Sequence, residues 1–235
     1  MANNSSRDEI LSRVRTGLYG DPAAHYGGTT PSGQENRDFS TEAGAIRKHN
    51  IDNNNSLLEQ FIEELLKVNS EIRRVRSEDE LMPLIMELIR DKGISSFSMW
   101  GSDYLRDLGL KNLLKSGGLK QLEASDKNAI AQAGIGITEV DYAIADTGTL
   151  VLLTDGNRPR SVSLLPPIHL AIVRKAKLVS DISELFIILK QTLDHTQDIT
   201  SCMTFITGPS RTADIELNLT LGVHGPKELH VLITP

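Results

Sequence analysis

The sequence predicts an α/β protein, a largely parallel sheet flanked by helices. Three observations carry this prediction. Apolar residues recur at helical spacing behind cap-like residues, short runs between them are apolar almost throughout, and the two kinds of segment alternate along the chain.

The first residues stand apart from that rhythm. Ile10, Leu11, Val14 and Leu18 fall on one face of a short helix, and Gly20 to Asn55 then carries glycine, proline, asparagine and charge with scarcely any apolar side chain. An N-terminal helix on a flexible arm is expected over 1–55, either as a poorly ordered terminus or as an arm that folds on a partner. The α/β domain then occupies Ser56 to Pro235.

Ser56 with Glu59 has the form of a capping box, followed by Leu57, Leu58, Phe61, Ile62, Leu65 and Leu66 at helical spacing. Ser77 with Glu80 repeats the device before Leu81, Leu84, Ile85, Leu88 and Ile89. Strands are expected at Ile72–Val75, Ser96–Trp100, Val140–Ala145, Leu150–Thr154, His169–Val173, Met203–Thr207 and Leu229–Ile233. A further helix is expected over Ile182–Leu193. Only Asp146 to Thr149 separates two of these strands, so they can also form a hairpin and make the sheet mixed.

Composition narrows the function. The chain has 235 residues and a formal charge of −6, and it lacks the basic face that a general nucleic-acid binder needs. Its only cysteine is Cys202, so neither a disulfide framework nor the thiolate set of an iron–sulfur cluster is available, and reducing cytoplasm is the expected location. No stretch approaches the roughly twenty apolar residues of a membrane span.

Ligands of open α/β sheets sit beyond the carboxyl ends of the strands, and three polar turns are the candidates. Around Gly148, Thr147 and Thr149 offer hydroxyls and backbone N–H groups to an anion, or the turn merely satisfies its own backbone. Upstream, Glu139 and Asp141 bracket Val140; on a regular strand they share a face, where like charge raises one pKa, and a solvated strand start is the alternative. Arg158 and Arg160 flank Pro159 and suit a carboxylate or phosphate, unless they only meet solvent. His169 opens an apolar strand, as a structural histidine or a pocket residue.

The third turn begins at Gly208. Ser210 and Thr212 suit a helix cap, Asp214 and Glu216 suit the first turns of that helix, and Arg211 adds a fork for an anion. His224, between Gly222 and Gly225, has room to reach a pocket. Asp214 joins Glu139 and Asp141 as a candidate catalytic acid or base. The histidine and acid spacings are not diagnostic of a metal site, and none is assigned.

The stretches "ITEVDYAIADTGTLVLLT", "SLLPPIHLAIV", "GPSRTADIE" and "LGVHGPKELHVLI", in this order, resemble the lactate-utilization protein C (LutC/YkgG-like) family, whose members carry the LUD domain. The resemblance spans Ile137 to Ile233. It implies a fold similar to ribose-5-phosphate isomerase, glucosamine-6-phosphate deaminase and the CoA transferases (the NagB/RpiA/CoA transferase-like fold), and a part in oxidising L-lactate to pyruvate. Lactate oxidation needs an acceptor for two electrons, and Gly134-Ile135-Gly136 does not continue into a dinucleotide-binding glycine motif. The resemblance therefore implies iron–sulfur or flavin cofactors in partner subunits, with none in this chain. An isomerase, deaminase or acyl-transfer enzyme, and a small-ligand sensor or scaffold, are the alternatives. Assembly with further copies of the same chain is compatible with each.

Overall fold

The structure, a computed structural model, describes residues 55–196, 200, 202–213 and 219–235. The expected helix around Ile10–Leu18 and all of the arm but Asn55 lie outside these residues, as do Asp214 and Glu216.

Six strands form the central sheet: β1 (Glu71–Arg74), β2 (Ser96–Met99), β3 (Lys120–Gln121), β4 (Ile135–Glu139), β7 (Ile168–Arg174) and β12 (Glu228–Thr234). Their order is β1-β12-β7-β4-β2-β3, and every neighbouring pair is parallel. β4 is buried at every residue and β7 at all but its last, as expected of strands covered on both faces. The other strands make a second sheet and a ribbon. β5 (Tyr142–Ile144), β6 (Thr149–Thr154), β8 (Leu178–Val179) and β9 (Cys202–Ile206) stand in the order β8-β5-β6-β9, while β10 (Arg211–Ala213) and β11 (Leu219–Leu221) pair antiparallel.

The hairpin alternative is realised, because β5 and β6 pair antiparallel across the Asp146 to Thr149 turn. They lie in the second sheet. The strand expected over Val140–Ala145 is β5, which begins only at Tyr142; Val140 and Asp141 before it make the crossing between the sheets, visible in two successive amides: Val140 N–H donates to Ile172 O of β7, and Asp141 N–H to Val151 O of β6.

Helix α1 (55–67) buries Leu58, Phe61 and Leu65 on one face. Ser56 lies within this helix, so it does not cap it as the sequence suggested. Helix α2 (Glu78–Asp91) buries Leu81, Ile85 and Ile89, and three acids in its first turn complement the helix dipole. Its capping box is half made. Ser77 has the extended backbone of a cap but its side chain makes no cap bond, and Glu80 Oε2 accepts instead from Arg76 N–H at 2.9 Å. Short helices α3 (Asp103–Asp107), α4 (Leu110–Ser116) and α5 (Lys127–Ile130) connect the central strands, and α6 (Ser161–Leu164) leads from β6 of the second sheet back to β7.

Helix α7 (Ile182–Thr196) starts at Asp181, whose Oδ1 accepts from the N–H groups of Ser183 and Glu184. Its Leu185, Ile188 and Leu189 form a smaller core with Ile144, Val151 and Val179 of the second sheet. The main core runs through the central sheet and includes Phe61, Phe97 and Trp100. Among the described residues no helix is long and apolar enough to cross a membrane.

The segment from Gly208 corrects the sequence reading. Arg211 to Ala213 is a strand, not the first turn of a helix. Ser210 N–H donates to Pro226 O while Ser210 O accepts from Gly222 N–H, so the backbone enters ribbon pairing before a helix can begin.

Candidate functional site

The carboxyl ends of β2, β4 and β7 open into a polar cleft of about 600 Å³. Position on the sheet explains its contents. Glu139 ends β4 and Arg174 ends the neighbouring β7, and the two are ion-paired at 2.5 Å with Glu139 almost fully buried. The Arg174 guanidinium lies 4.7 Å from the centre of the Tyr104 ring, and its Nε is buried without a hydrogen-bond partner. The Tyr104 hydroxyl reaches Thr234 Oγ1 at 3.3 Å, which ties the cleft to the end of β12.

Asp141 sits on the crossing between the sheets. Its Oδ2 accepts from Leu153 N–H at 2.7 Å and its Oδ1 from Arg158 Nη1 at 2.8 Å. Arg158 also donates from Nε to Asp155 at 2.7 Å and lies 5.6 Å from the centre of the Trp100 ring. Burial pushes the Asp141 carboxyl above the usual carboxylate range, outweighing the Leu153 N–H and the Arg158 charge that favour its ionised form. Burial likewise lowers the Lys177 ammonium, helped by the Arg174 charge. Lys177 lies 5.5 Å from the centre of the Tyr142 ring and lines the same cleft. The cleft thus holds an acid held more protonated, and a base held less protonated, than in water, an arrangement suited to proton transfer.

Glu139, Asp141 and Arg158 are therefore the sequence candidates that the fold brings together. Glu139 and Asp141 do so without sharing a strand face, because the chain changes sheets between them. Tyr104, Asp155, Arg174 and Lys177 were not singled out. Arg174 and Lys177 were open to the strand-end rule, since "IVRKAK" leaves an apolar strand with its cations at the carboxyl end.

The other candidates lie elsewhere. Gly148 has a positive φ of 61°, and a Cβ on it would stand 2.7 Å from Leu65 N and 2.9 Å from Glu64 C, so the close approach in this turn is made by α1. Thr147 and Thr149 bond each other through their hydroxyls, and Thr149 also reaches Thr207. Arg160 is exposed at the start of α6. Gly208 packs against Val68, Arg211 Nη2 donates to Val68 O at the end of α1, and Thr212 pairs with Thr220.

Gly208, Ser210, His169 and His224 do share a cavity, of about 190 Å³, at the amino-terminal ends of β7 and β12. It lies at the opposite end of the sheet from the polar cleft. His169 Nε2 meets Thr138 Oγ1 at 2.9 Å while its Nδ1 has no partner, and burial pushes its pKa down to about 3. It is neutral at physiological pH.

Among the described residues no group of three or more His, Cys, Asp or Glu side chains is placed to hold a metal ion.

A parallel sheet with a charged crevice at its carboxyl edge and a second sheet beside it defines an α/β domain, a class whose ligands sit beyond the carboxyl ends of the strands. The chain belongs to the LUD-domain family, whose model matches residues 58–234. Among its relatives is the lactate utilization protein C of Shouchella clausii, 31% identical over 225 residues that cover 94% of each chain. That of Halalkalibacterium halodurans is 31% identical over 185 residues, 77% of this chain and 79% of the relative. A crystal structure of a DUF162 family protein from Deinococcus radiodurans shares the fold, with a TM-score of 0.56 at 19% identity over 77% of this chain and 98% of that one.

Proposed function

We propose that this chain is the non-redox member of an L-lactate utilization system, working beside iron–sulfur proteins that carry the electrons released as lactate becomes pyruvate. The observation behind the reading is the alignment over 94% of both chains with a relative named lactate utilization protein C. The chemistry of the sequence agrees with the division of labour: one cysteine supplies one thiolate, too few for a cluster ligated by this chain alone. The contribution of this chain is to bind a small polar ligand in the cleft of Asp141, Glu139, Arg158 and Arg174.

The test is growth. A strain lacking this chain should fail on L-lactate and grow normally on glucose. The wild-type gene should restore growth, and Arg174→Met, made at normal levels, should not. Tagged chain from lactate-grown cells should bring down iron–sulfur protein visible by its colour. Normal growth of the deletion strain on L-lactate would sink the proposal.

One observation favours a second reading. Asp141 and Lys177, shifted toward each other in pKa, face one cleft, and a proton-transferring enzyme acting alone needs such a pair. Turnover of a sugar phosphate or a CoA ester by the purified chain, lost in Asp141→Asn, would select this reading.

A further inference from the structure

The polar cleft does not end at Asn157. Gly101, Ser102 and Asn157 line it and also line a second lobe of about 540 Å³, so the two lobes adjoin across these residues, where Gly101 N–H donates to Asn157 O, and together form a trench. The second lobe runs past Trp100 to Gln121 at the carboxyl end of β3. From Arg174 on β7, the trench passes β4 and β2 to reach β3. Three strand spacings make this about 14 Å at the usual 4.7–4.9 Å between neighbours. Each lobe alone falls in the range of roughly 300–1,000 Å³ that holds a drug-sized ligand. A three-carbon acid fills little of either.

The two lobes differ in charge. The first sets five carboxylates, those of Asp103, Asp107, Glu139, Asp141 and Asp155, against the three cations Arg158, Arg174 and Lys177. The second sets Arg106 and Lys111 against Glu123 alone. Arg106 is held by Asp103 at 2.6 Å, but both side chains are largely exposed, so that pair is weak and readily exchanged for a ligand anion. Lys111 has no carboxylate within 4.0 Å among the described residues. At the far end, Gln121 Oε1 is buried without a hydrogen-bond partner, an acceptor placed where a ligand donor can satisfy it.

We infer that the trench takes an elongated, two-ended ligand, with an anionic phosphate or carboxylate beside Arg106 and Lys111 and hydroxyl or ammonium groups among the carboxylates around Asp141, and that L-lactate itself is not this ligand. The inference rests on the cleft being the binding site of the proposed function, and it names the class of molecule bound there. Opposite net charge at the two ends sets specificity, because a molecule anionic throughout meets a lobe where five carboxylates outnumber three cations, and one cationic throughout meets a lobe where Arg106 and Lys111 outnumber Glu123.

The experiment titrates the full-length chain with four probes: aminohexyl phosphate, hexanediol bisphosphate, hexamethylenediamine and L-lactate. Aminohexyl phosphate should bind at least tenfold more tightly than the other three. Lys111→Glu, with an unchanged melting curve, should weaken aminohexyl phosphate about tenfold and strengthen hexamethylenediamine. Equal binding of all four probes, tighter binding of L-lactate, or indifference of the affinities to Lys111→Glu would overturn the inference. Growth and titration separate the two claims. A chain required for growth on L-lactate whose trench ignores probe charge sinks the inference alone, and a dispensable chain that prefers aminohexyl phosphate sinks only the role in lactate use.

Discussion

Gly148 offers the sharpest test of how the turn between β5 and β6 is built. Replacing it with alanine imposes two separate costs. At a φ of 61° the new side chain occupies the left-handed region, which costs an L-residue roughly 1–2 kcal/mol. Its Cβ would also stand 2.7 Å from Leu65 N and 2.9 Å from Glu64 C, backbone atoms of α1 that cannot swing aside as a flexible side chain can. Forcing a methyl into packed structure typically costs about 1–3 kcal/mol, and the lower chain entropy of unfolded alanine returns about 0.4–1 kcal/mol, leaving a net loss of roughly 2–4 kcal/mol. In a domain of this size that is a fall in Tm of roughly 5–15 °C. Gly156→Ala is the control: no atom lies within 4 Å of its Cβ position and its φ is ordinary, so its stability should stay within about 0.5 kcal/mol of wild type. Urea unfolding of both variants beside the parent decides the matter. A Gly148→Ala protein as stable as the control would refute the packing of α1 on this turn, and one that is stable but loses ligand binding would restore the reading of the turn as an anion cradle.

Two further predictions follow from burial and a third from composition. Because burial raises the folded pKa of Asp141, ionising it opposes folding, and its contribution to stability is lost as pH rises above about 4; urea stability of Asp141→Asn should therefore gain on wild type between pH 4.5 and pH 7.5 (about 3 units), and parallel curves would contradict the assignment. His169 behaves in the opposite sense: its folded pKa is pushed down to about 3, so stability is present above the unfolded pKa and falls as pH drops below it. The slope should be about 1.4 kcal/mol per pH unit below roughly pH 6, and it should flatten in His169→Gln; an unchanged slope would assign the acid sensitivity elsewhere. Purified chain should be colourless and inactive on L-lactate alone, given its single cysteine and the absence of a glycine-rich dinucleotide motif; visible absorbance or dye reduction by homogeneous protein would overturn this.

Most strands were legible because their apolar runs are long and uninterrupted, as in "HLAIV" and "LHVLI". β4 was not. Its sequence, "IGITE", breaks the run with Gly136, Thr138 and Glu139, and the reasons lie in tertiary structure. A Cβ on Gly136 would stand 1.9 Å from Val162 O, so α6 packs where a side chain would be; Thr138 bonds His169, and Glu139 pairs with Arg174. The polar residues that hide β4 in the sequence are those that fit it to its place in the sheet. The misread helix cap at Ser210 and Thr212 has a similar cause, since Ser and Thr favour a helix start only when the backbone is free to coil, and here Pro226 and Gly222 hold Ser210 in ribbon geometry. The site was legible to the extent that it lies near in sequence: Glu139 and Asp141 stand two residues apart and could be weighed together, whereas Arg158, Tyr104, Arg174 and Lys177 meet them only through the fold.

The strand order explains why the acids and cations of the cleft fall in one crevice. Parallel strands all deliver their carboxyl ends to the same edge, so whatever follows each strand is gathered there: Arg174 after β7's apolar run, Glu139 at the end of β4, Gly101 and Ser102 after β2. The crossing between Glu139 and Tyr142 adds what a single sheet cannot. It lifts Asp141 out of the central sheet into the angle between the two sheets, where Leu153 N–H and Arg158 hold it and burial keeps its proton on longer than in water. If Arg158 were only a structural partner, Arg158→Lys would preserve the charge, and function would survive. If its fork matters, lysine can meet Asp141 or Asp155 but not both in the same plane, and the carboxylate set around the ligand is rearranged. Arg158→Lys should therefore fold normally yet fail to support growth on L-lactate. Full growth of that variant would show that Arg158 serves the cleft through charge alone.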